Sequence, residues 1–275
     1  MHVLTLQTAV LLAGLGFAVG AFGTLVGAGG GFILTPLLLV LYPSDRPETL
    51  AAIGLVAVFA NAASGTAAYA RRRRIDTASG AVFIAAALPG AVAGALTTAL
   101  LPRHVFDLAV AGLLAALAMW LLVPSRPLAG RPGRGTERHL VDADGVRYDY
   151  RVPLGAGAAA SGGVGFVSSL LGIGGGVIHV PVLVRGMRMP THVATATSHL
   201  VLAVTAGAAA LTHVLAGSFA GGHGAYRALV LAVALAAGAQ AGARWSGRVR
   251  GPVIERLLVA ALLAIAVRLA FAALV

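Results

Sequence analysis

The sequence predicts an all-α polytopic membrane protein made of two inverted repeats, each a glycine-broken helical hairpin followed by three transmembrane helices. Three observations carry this prediction. Hydrophobic residues make up 59% of the 275 residues and charged residues only 11%, too little polar surface to cover a soluble globule. Long stretches carry no charge, and a glycine-rich motif occurs twice.

The stretches without Asp, Glu, Lys or Arg set the number of crossings. The longest are 1–44, 152–184 and 189–226. A hydrocarbon core of about 30 Å needs roughly 20 apolar residues per helix, so each stretch holds more than one crossing, or one crossing and a re-entrant piece. We therefore expect at least six crossings. The first apolar run lacks the basic start of a signal peptide and continues into the repeated motif, so we assign it to the mature protein.

The repeated motif opens each half of the chain. The stretch "GTLVGAGGGFILTPLLLV" begins at Gly23, and "SSLLGIGGGVIHVPVLVR" begins at Ser168. A shift of 145 positions brings eight of fourteen columns into identity without a gap. The shared residues are Leu25, Gly27, Gly29, Gly30, Gly31, Ile33, Pro36 and Leu38 in the first copy, and Leu170, Gly172, Gly174, Gly175, Gly176, Ile178, Pro181 and Leu183 in the second. The match indicates an internal duplication.

Three predicted crossings follow each motif. They lie at about 49–70, 77–101 and 105–123 in the first repeat, and at about 191–215, 226–243 and 252–274 in the second. A weaker match at a shift of 142 pairs the run from Thr49 with the run from Thr191. The first transmembrane repeat is thus expected to cover 1–123 and the second 154–275.

A polar cytoplasmic linker is predicted between the repeats at 124–153. It holds six arginines and four acidic residues. The Asp144-Gly145 pair, between apolar and aromatic residues, is typical of a short hairpin turn. We interpret the segment as a linker or small cap on one membrane face, without chemistry of its own.

Arginine placement predicts the orientation. If Arg71–Arg74 is cytoplasmic and each hairpin returns to its own side, sixteen arginines lie inside and four lie outside, Arg46, Arg103, Arg227 and Arg268. Both termini then lie outside the cytoplasm. A returning hairpin plus three crossings makes an odd number of passages, so the second repeat must be upside down relative to the first. Inverted repeats are a recurrent plan of secondary transporters.

The glycine triplets predict a helix that stops near Gly27 and restarts after Gly31, with a matching break in the second half. A restarting helix offers free N–H groups and the positive end of its dipole, which favour an anion. Two inverted breaks would aim at one central point. The alternative is that these glycines only allow close helix packing, and it stays open here.

The motifs "GAGGGFILTP" and "GIGGGVIHVP", one in each half of a chain of short helices, resemble those of the sulfite exporter TauE/SafE family of membrane transporters. The resemblance covers nearly the whole chain. It implies a secondary carrier in the bacterial plasma membrane for small anionic, often sulfur-containing substrates such as sulfite or organosulfonates. An anion channel of the same architecture and a non-transporting membrane scaffold are the alternatives.

Polar side chains near the motifs complete the predicted site. His179 is a titratable group at membrane depth, and Thr195, Ser198 and His199 share a helix face by their spacing. Bonding to a nearby carbonyl would explain any one of them equally well. The predicted substrate-binding residues are Gly27, Gly29, Gly30, Gly31, Gly172, Gly174, Gly175, Gly176, Thr24, Ser168, Ser169, His179, Asn61, Thr195, Ser198 and His199, with Pro36 and Pro181 as helix-breaking prolines.

Several classes of function are not expected. "GAGGGF" lacks the Lys-Ser/Thr of a phosphate-binding loop and the spacing of a dinucleotide fingerprint, so no cofactor and no enzyme activity are predicted. The chain has no cysteine, and its histidines lack metal-ligand spacing, so no metal is predicted. The net charge of +11 is explained by topology rather than by nucleic acid. The expected partners are the lipid bilayer and a small anion.

Overall fold

The computed structural model describes residues 6–123, 135–220, 223–246 and 248–274. Within them the chain forms ten α-helices and one β-hairpin. The helices are α1 (Leu6–Val26), α2 (Gly31–Leu41), α3 (Pro47–Arg71), α4 (Thr77–Thr98), α5 (Arg103–Leu122), α6 (Leu154–Leu170), α7 (Gly176–Pro181), α8 (Thr191–Leu215), α9 (Gly224–Ser246) and α10 (Gly251–Leu274). A π-helical turn, Val182–Gly186, continues α7. The hairpin strands are β1 (Thr136–Val141) and β2 (Arg147–Val152).

The helices confirm the polytopic membrane architecture. Six of the described helices, α1, α3, α4, α5, α8 and α9, are long and apolar enough to cross a membrane. The six crossings predicted after the motifs correspond to α3, α4, α5, α8, α9 and α10, with boundaries that differ by a few residues. The short helices α2 and α7 complete the two hairpins.

Both predicted helix breaks are present. α1 ends at Val26 and α2 begins at Gly31, while α6 ends at Leu170 and α7 begins at Gly176. The breaks depend on glycine because their backbone adopts the left-handed region, which side chains with a Cβ rarely tolerate. The residues with positive φ are Gly27, Gly29 and Gly30 in the first break, and Gly172 and Gly174 in the second.

The two halves are interleaved. α1 packs most extensively against α9 of the other half, and α6 against α4. A Cβ at Gly20 would overlap the carbonyl oxygen of Leu235, and a Cβ at Gly165 would overlap that of Ala87. Gly20 and Gly165 are equivalent at the motif shift of 145, so the same close backbone approach occurs once in each repeat.

The equivalent helices α3 and α8 run antiparallel at the centre. Thr49, near the start of α3, donates from Oγ1 to the carbonyl oxygen of Ser218, just beyond the end of α8, at 2.9 Å. Near the other end of α3, a Cβ at Gly65 would meet the ring of His199. An antiparallel pair of equivalent helices is consistent with inverted repeats, since parallel repeats would align them.

The register between α3 and α8 corrects the shift of 142 predicted from the sequence. Both helices have 25 residues, and they begin at Pro47 and Thr191, which gives a shift of 144. The breaks agree with this register, because Gly27 packs on Thr195 and Gly172 packs on Ala51. The shift of 142 pairs small residues, which recur throughout both helices, whereas the contacts with the breaks select one register.

The two helical hairpins end on opposite faces. Arg185, at the end of the second hairpin, donates to the carbonyl oxygens of Trp120, Leu121 and Val123 at the end of α5. Arg103 at the start of α5 donates to the carbonyl oxygen of Leu39 near the end of α2. The first hairpin therefore ends on the face where α5 begins, and the second ends on the opposite face.

The described part of the linker, 135–153, is a docked cap. The turn predicted at Asp144-Gly145 is confirmed, since β1 and β2 pair antiparallel from Thr136↔Val152 to Val141↔Arg147. The buried Asp142 accepts from the Arg74 guanidinium at 3.0 Å. Tyr150 donates from its hydroxyl to Asp76 at 2.9 Å. Polar contacts thus hold the cap on the loop between α3 and α4.

The Asp142 carboxylate is the electrostatic centre of this contact. Burial alone would raise its pKa, but the backbone amides of Val146 and Asp144 donate to it and Arg74 adds a positive charge. The net result is a pKa below the ordinary value for an aspartate. The docked state therefore favours the ionised carboxylate.

Candidate functional site

A pocket lies beside the second glycine break, between α4, α6, α7 and α8. Its free volume is about 10 Å³, which is room for about one water molecule. Apolar residues form much of its wall, and polar groups converge from three helices. The polar side chains are those of Ser161, Ser168, His179, Ser198 and Thr205, and the backbone of Gly175 and Gly176 completes that side of the wall.

His179 is fixed at one end of the pocket. Its Nε2 lies 3.0 Å from the hydroxyl oxygen of Ser161, and its ring meets Phe83 edge to face at 5.7 Å between centroids. The residue is 2% exposed. Among the described residues, Nδ1 of His179 has no hydrogen-bond partner.

Ser198 presents a second unpaired polar group to the pocket. The residue is fully buried, and its hydroxyl oxygen has no partner within the described part of the chain. Buried polar atoms are nearly always paired with protein or with a bound molecule. Two such atoms lining one cavity therefore indicate a site that a ligand or water completes.

The second break supplies further donors to this wall. α7 begins at Gly176, and the first amides of a helix have no acceptor within it. The carbonyl oxygen of Gly175 accepts from the amides of Ile178 and His179. Glycine is required here, since a Cβ at Gly176 would lie 2.7 Å from the carbonyl oxygen of Gly27.

The equivalent place in the first repeat is filled. Asn61 donates from its side-chain amide to the carbonyl oxygens of Gly20 and Leu235, both at 3.0 Å, and accepts from the hydroxyl of Thr24 at 3.0 Å. At the shift of 144, Asn61 corresponds to Thr205. Within the described structure, Thr205 bonds to carbonyls of its own helix alone, chiefly Val201 at 3.0 Å.

This difference explains where the pocket lies. Asn61 bonds to the carbonyl oxygens of Gly20 and Leu235. The corresponding backbone positions beside Thr205 are those of Gly165 and Ala87, which approach each other about equally closely. Asparagine bridges the three helices in one repeat, and the shorter threonine leaves the space open in the other. Thr24 and Asn61, both predicted as site residues, thus lie in a buried structural network rather than along the pocket.

Thr195 and His199 are also separate from the pocket. Thr195 packs on Gly27 of the first break, and its carbonyl oxygen lies 3.3 Å from Nδ1 of His199. His199 meets the ring of Tyr69 edge to face at 5.4 Å. The predicted common face of Thr195, Ser198 and His199 therefore divides, because Ser198 turns toward α6 and the other two toward the first break and α3.

The two breaks meet at the centre, as the sequence predicted. Gly29 and Gly174 lie against the same two side chains, Val58 of α3 and Leu202 of α8, and a Cβ at Gly31 would overlap the carbonyl oxygen of Ile173. Close packing therefore accounts for these glycines. The remaining predicted residues that do not line the pocket are Gly30, Gly172, Ser169, Pro36 and Pro181.

Two polar residues of the pocket, Ser161 and Thr205, were not predicted from the sequence. Thr205 lies seven residues after Ser198, which places both on one helical stripe, so its signal was available. Ser161 lies in a run of Gly, Ala and Ser where nothing distinguishes it. Only the fold shows that its hydroxyl reaches His179.

Comparisons with known proteins agree on one family. The family model described as sulfite exporter TauE/SafE matches residues 12–269. The chain is 29% identical over 216 residues to the "Probable membrane transporter protein YunE" of Bacillus subtilis (strain 168), covering 76% of this chain and 79% of that protein. It is 30% identical over 188 residues to a "Probable membrane transporter protein" of Xylella fastidiosa (strain Temecula1), covering 68% and 67%. No solved structure matched the chain.

Proposed function

Since this chain belongs to the sulfite exporter TauE/SafE family, we propose that it is a secondary transporter that moves small anions, sulfite or organosulfonates among them, across the plasma membrane. The observation that carries the proposal is the pocket at the second glycine break. There a buried imidazole and a buried hydroxyl, His179 and Ser198, have polar atoms without partners among the described residues.

The pocket supplies the donors that an oxyanion needs. Ser161 bonds to Nε2 at one edge of the His179 ring, and when its hydroxyl donates there, Nδ1 carries the ring proton and is oriented before a substrate arrives. The Ser198 hydroxyl comes from α8, and the amides at the start of α7 come from the break. Donors from two separate elements, α7 and α8, would bind an anion at a point where these elements can move relative to one another.

The arginines give the proposed orientation of the protein in the membrane. The arginine-rich face, which carries Arg71–Arg74 and the hairpin cap, is proposed to be cytoplasmic, and both termini are proposed to lie on the other side. Inverted repeats would then expose the pocket alternately to the two faces. The other predicted residues, including Thr24, Asn61 and the first-break glycines, are proposed to shape this scaffold.

Uptake into proteoliposomes tests the proposal. Labelled sulfite is added outside vesicles that contain purified protein, with unlabelled sulfonates, acetate, chloride and sulfate as competitors. We expect saturable uptake in the wild type and at least a tenfold loss in the variants Ser198→Ala and His179→Gln. Matched controls are Ser246→Ala and His213→Gln, because both residues are buried and lie outside the pocket.

Two results would redirect the proposal. Uptake that does not saturate and shows no counterflow would indicate an anion channel of the same architecture. Folded protein that moves no anion, or pocket variants that transport like the controls, would contradict an anion carrier with this site. The scaffold alternative would then be tested by capture of partner proteins.

A further inference from the structure

We infer that the pocket at the second glycine break selects monoanions over dianions. The inference rests on the proposed function and specifies its substrate class by charge. Its basis is the set of groups around the pocket. None of the described residues that line it carries a formal charge at neutral pH apart from the titratable His179.

Charge burial makes this donor set selective. The free-energy cost of moving an ion from water into a low-dielectric site rises with the square of its charge, so a dianion pays about four times the cost of a monoanion of equal size. Proteins usually offset that cost with guanidinium or ammonium groups, often in bidentate pairs. Hydroxyls, one imidazole and helix amides are a weaker set, suited to a single negative charge.

Three of the described arginines are held elsewhere. Arg74 pairs with Asp142 and Asp144 under the hairpin cap, and Arg227 pairs with Asp45 at 2.7 Å on the opposite face. Arg185 donates to carbonyl oxygens at the end of α5. These side chains are committed at the two membrane faces, so they do not neutralise a second charge in the pocket.

The donors in the pocket are also few. The hydroxyl of Ser168 lies 3.3 Å from the carbonyl oxygen of Gly165, and that of Thr205 is bonded within α8. Ser161 is occupied with His179. Ser198 and Nδ1 of His179 remain, and they would complete the shell of one or two oxygen atoms rather than the four of sulfate.

Methanesulfonate and sulfate provide a matched pair of probes. Both are tetrahedral and similar in size, and they carry one and two negative charges across the working pH range. Binding is measured on detergent-solubilised protein by thermal stabilisation, and transport by uptake of each labelled anion into proteoliposomes at one fixed pH. We expect methanesulfonate to bind and to be taken up at least tenfold better than sulfate.

The outcomes separate the inference from the proposed function. Comparable binding of sulfate and methanesulfonate, or binding of neither, would overturn the selectivity. Selective binding without any uptake would keep the selectivity and contradict the transporter. Ser198→Ala is expected to weaken methanesulfonate binding while Ser246→Ala leaves it unchanged; equal effects of the two substitutions would place binding outside this pocket and overturn the inference.

Discussion

Asn61 of α3 and Thr205 of α8 occupy the same position of the two repeats, yet only Asn61 bridges to neighbouring helices, through the carbonyl oxygens of Gly20 and Leu235. The bridge ties α3 to α1 and α9. Thr205 makes no such connection to α4 or α6 in the described structure, and the pocket lies in the space it leaves. Two copies of one helical plan have therefore diverged at a single side chain into a fixed joint and an open site.

The Asn61 bridge should contribute more to stability than its counterpart. We expect Asn61→Ala to lower the free energy of unfolding by about 1–3 kcal/mol, since it removes three buried hydrogen bonds at the modest values found inside membranes. Thr205→Ala should lower the free energy of unfolding by about a few tenths of a kcal/mol, because it removes only a bond within its own helix. Thermal unfolding in detergent measures both. Equal losses would contradict the distinction between joint and open site.

The glycines of α6 are expected to differ in their tolerance to substitution, according to whether they lie at a helix crossing. Gly165→Val should prevent α6 from approaching α4, because the side chain would overlap the carbonyl oxygen of Ala87. Gly163→Val, two residues earlier, meets nothing within 4 Å and should insert normally. Folded yield by size-exclusion chromatography compares them. Gly112→Val belongs with the tolerated variants, since its surroundings are also open.

The hairpin cap should depend on the Arg74–Asp142 pair. Arg74→Ala leaves a buried carboxylate without its cation, which costs on the order of 3–5 kcal/mol, so the cap is expected to undock. Arg151→Ala removes only an exposed pair with Glu137 and should leave the cap in place. Cleavage after Arg147 by trypsin reports undocking. Cleavage of Arg74→Ala as slow as that of Arg151→Ala would show that the cap does not depend on Arg74.

We expect the same cap to undock only at low pH. Asp142 has a lowered pKa in the docked state, so its contribution is present above the ordinary value of 3.8 and is lost as the pH falls through the lowered value. A fluorescent label on Val146→Cys, at the exposed turn of a chain without cysteine, follows this change. We expect the midpoint below pH 3.8. A midpoint above 5 would assign release to another group.

Single cysteines test the topology. Ser44 lies in the exposed loop after the first hairpin, and Gly186 ends the second. We expect Ser44→Cys to react with an impermeant reagent added outside cells, and Gly186→Cys to react only after permeabilisation. Val146→Cys in the cap should behave like Gly186→Cys. Labelling of Ser44 and Gly186 from the same side would refute the inverted repeats, and a fully reversed pattern would refute the arginine-based orientation.

The sequence was sufficient for the helices, the breaks and the hairpin because their signals are local. Apolar runs bounded by charge gave the crossings, and glycines that need positive φ, such as Gly27 and Gly172, gave the breaks. The Asp144-Gly145 turn gave the hairpin. Each of these features follows from a few consecutive residues, so no knowledge of distant contacts was needed.

The site was only half predictable because it is set by contacts between distant segments. Ser168, Gly175, Gly176, His179 and Ser198 were predicted and do line the pocket. Nothing local indicated that the Asn61 amide would be consumed by α1 and α9, or that Ser161 would face His179. A polar residue in an apolar helix indicates a buried hydrogen bond, but the packing of the helices determines its partner.

The exchange of partners between the halves has a consequence for biosynthesis. α1 emerges from the ribosome long before α9, the helix that covers its glycine face. α4 likewise waits for α6. Until then Gly20 and its neighbours face lipid or the insertion machinery. Neither half can mature alone, so two fragments divided in the linker should be unstable when made separately and should assemble when made together.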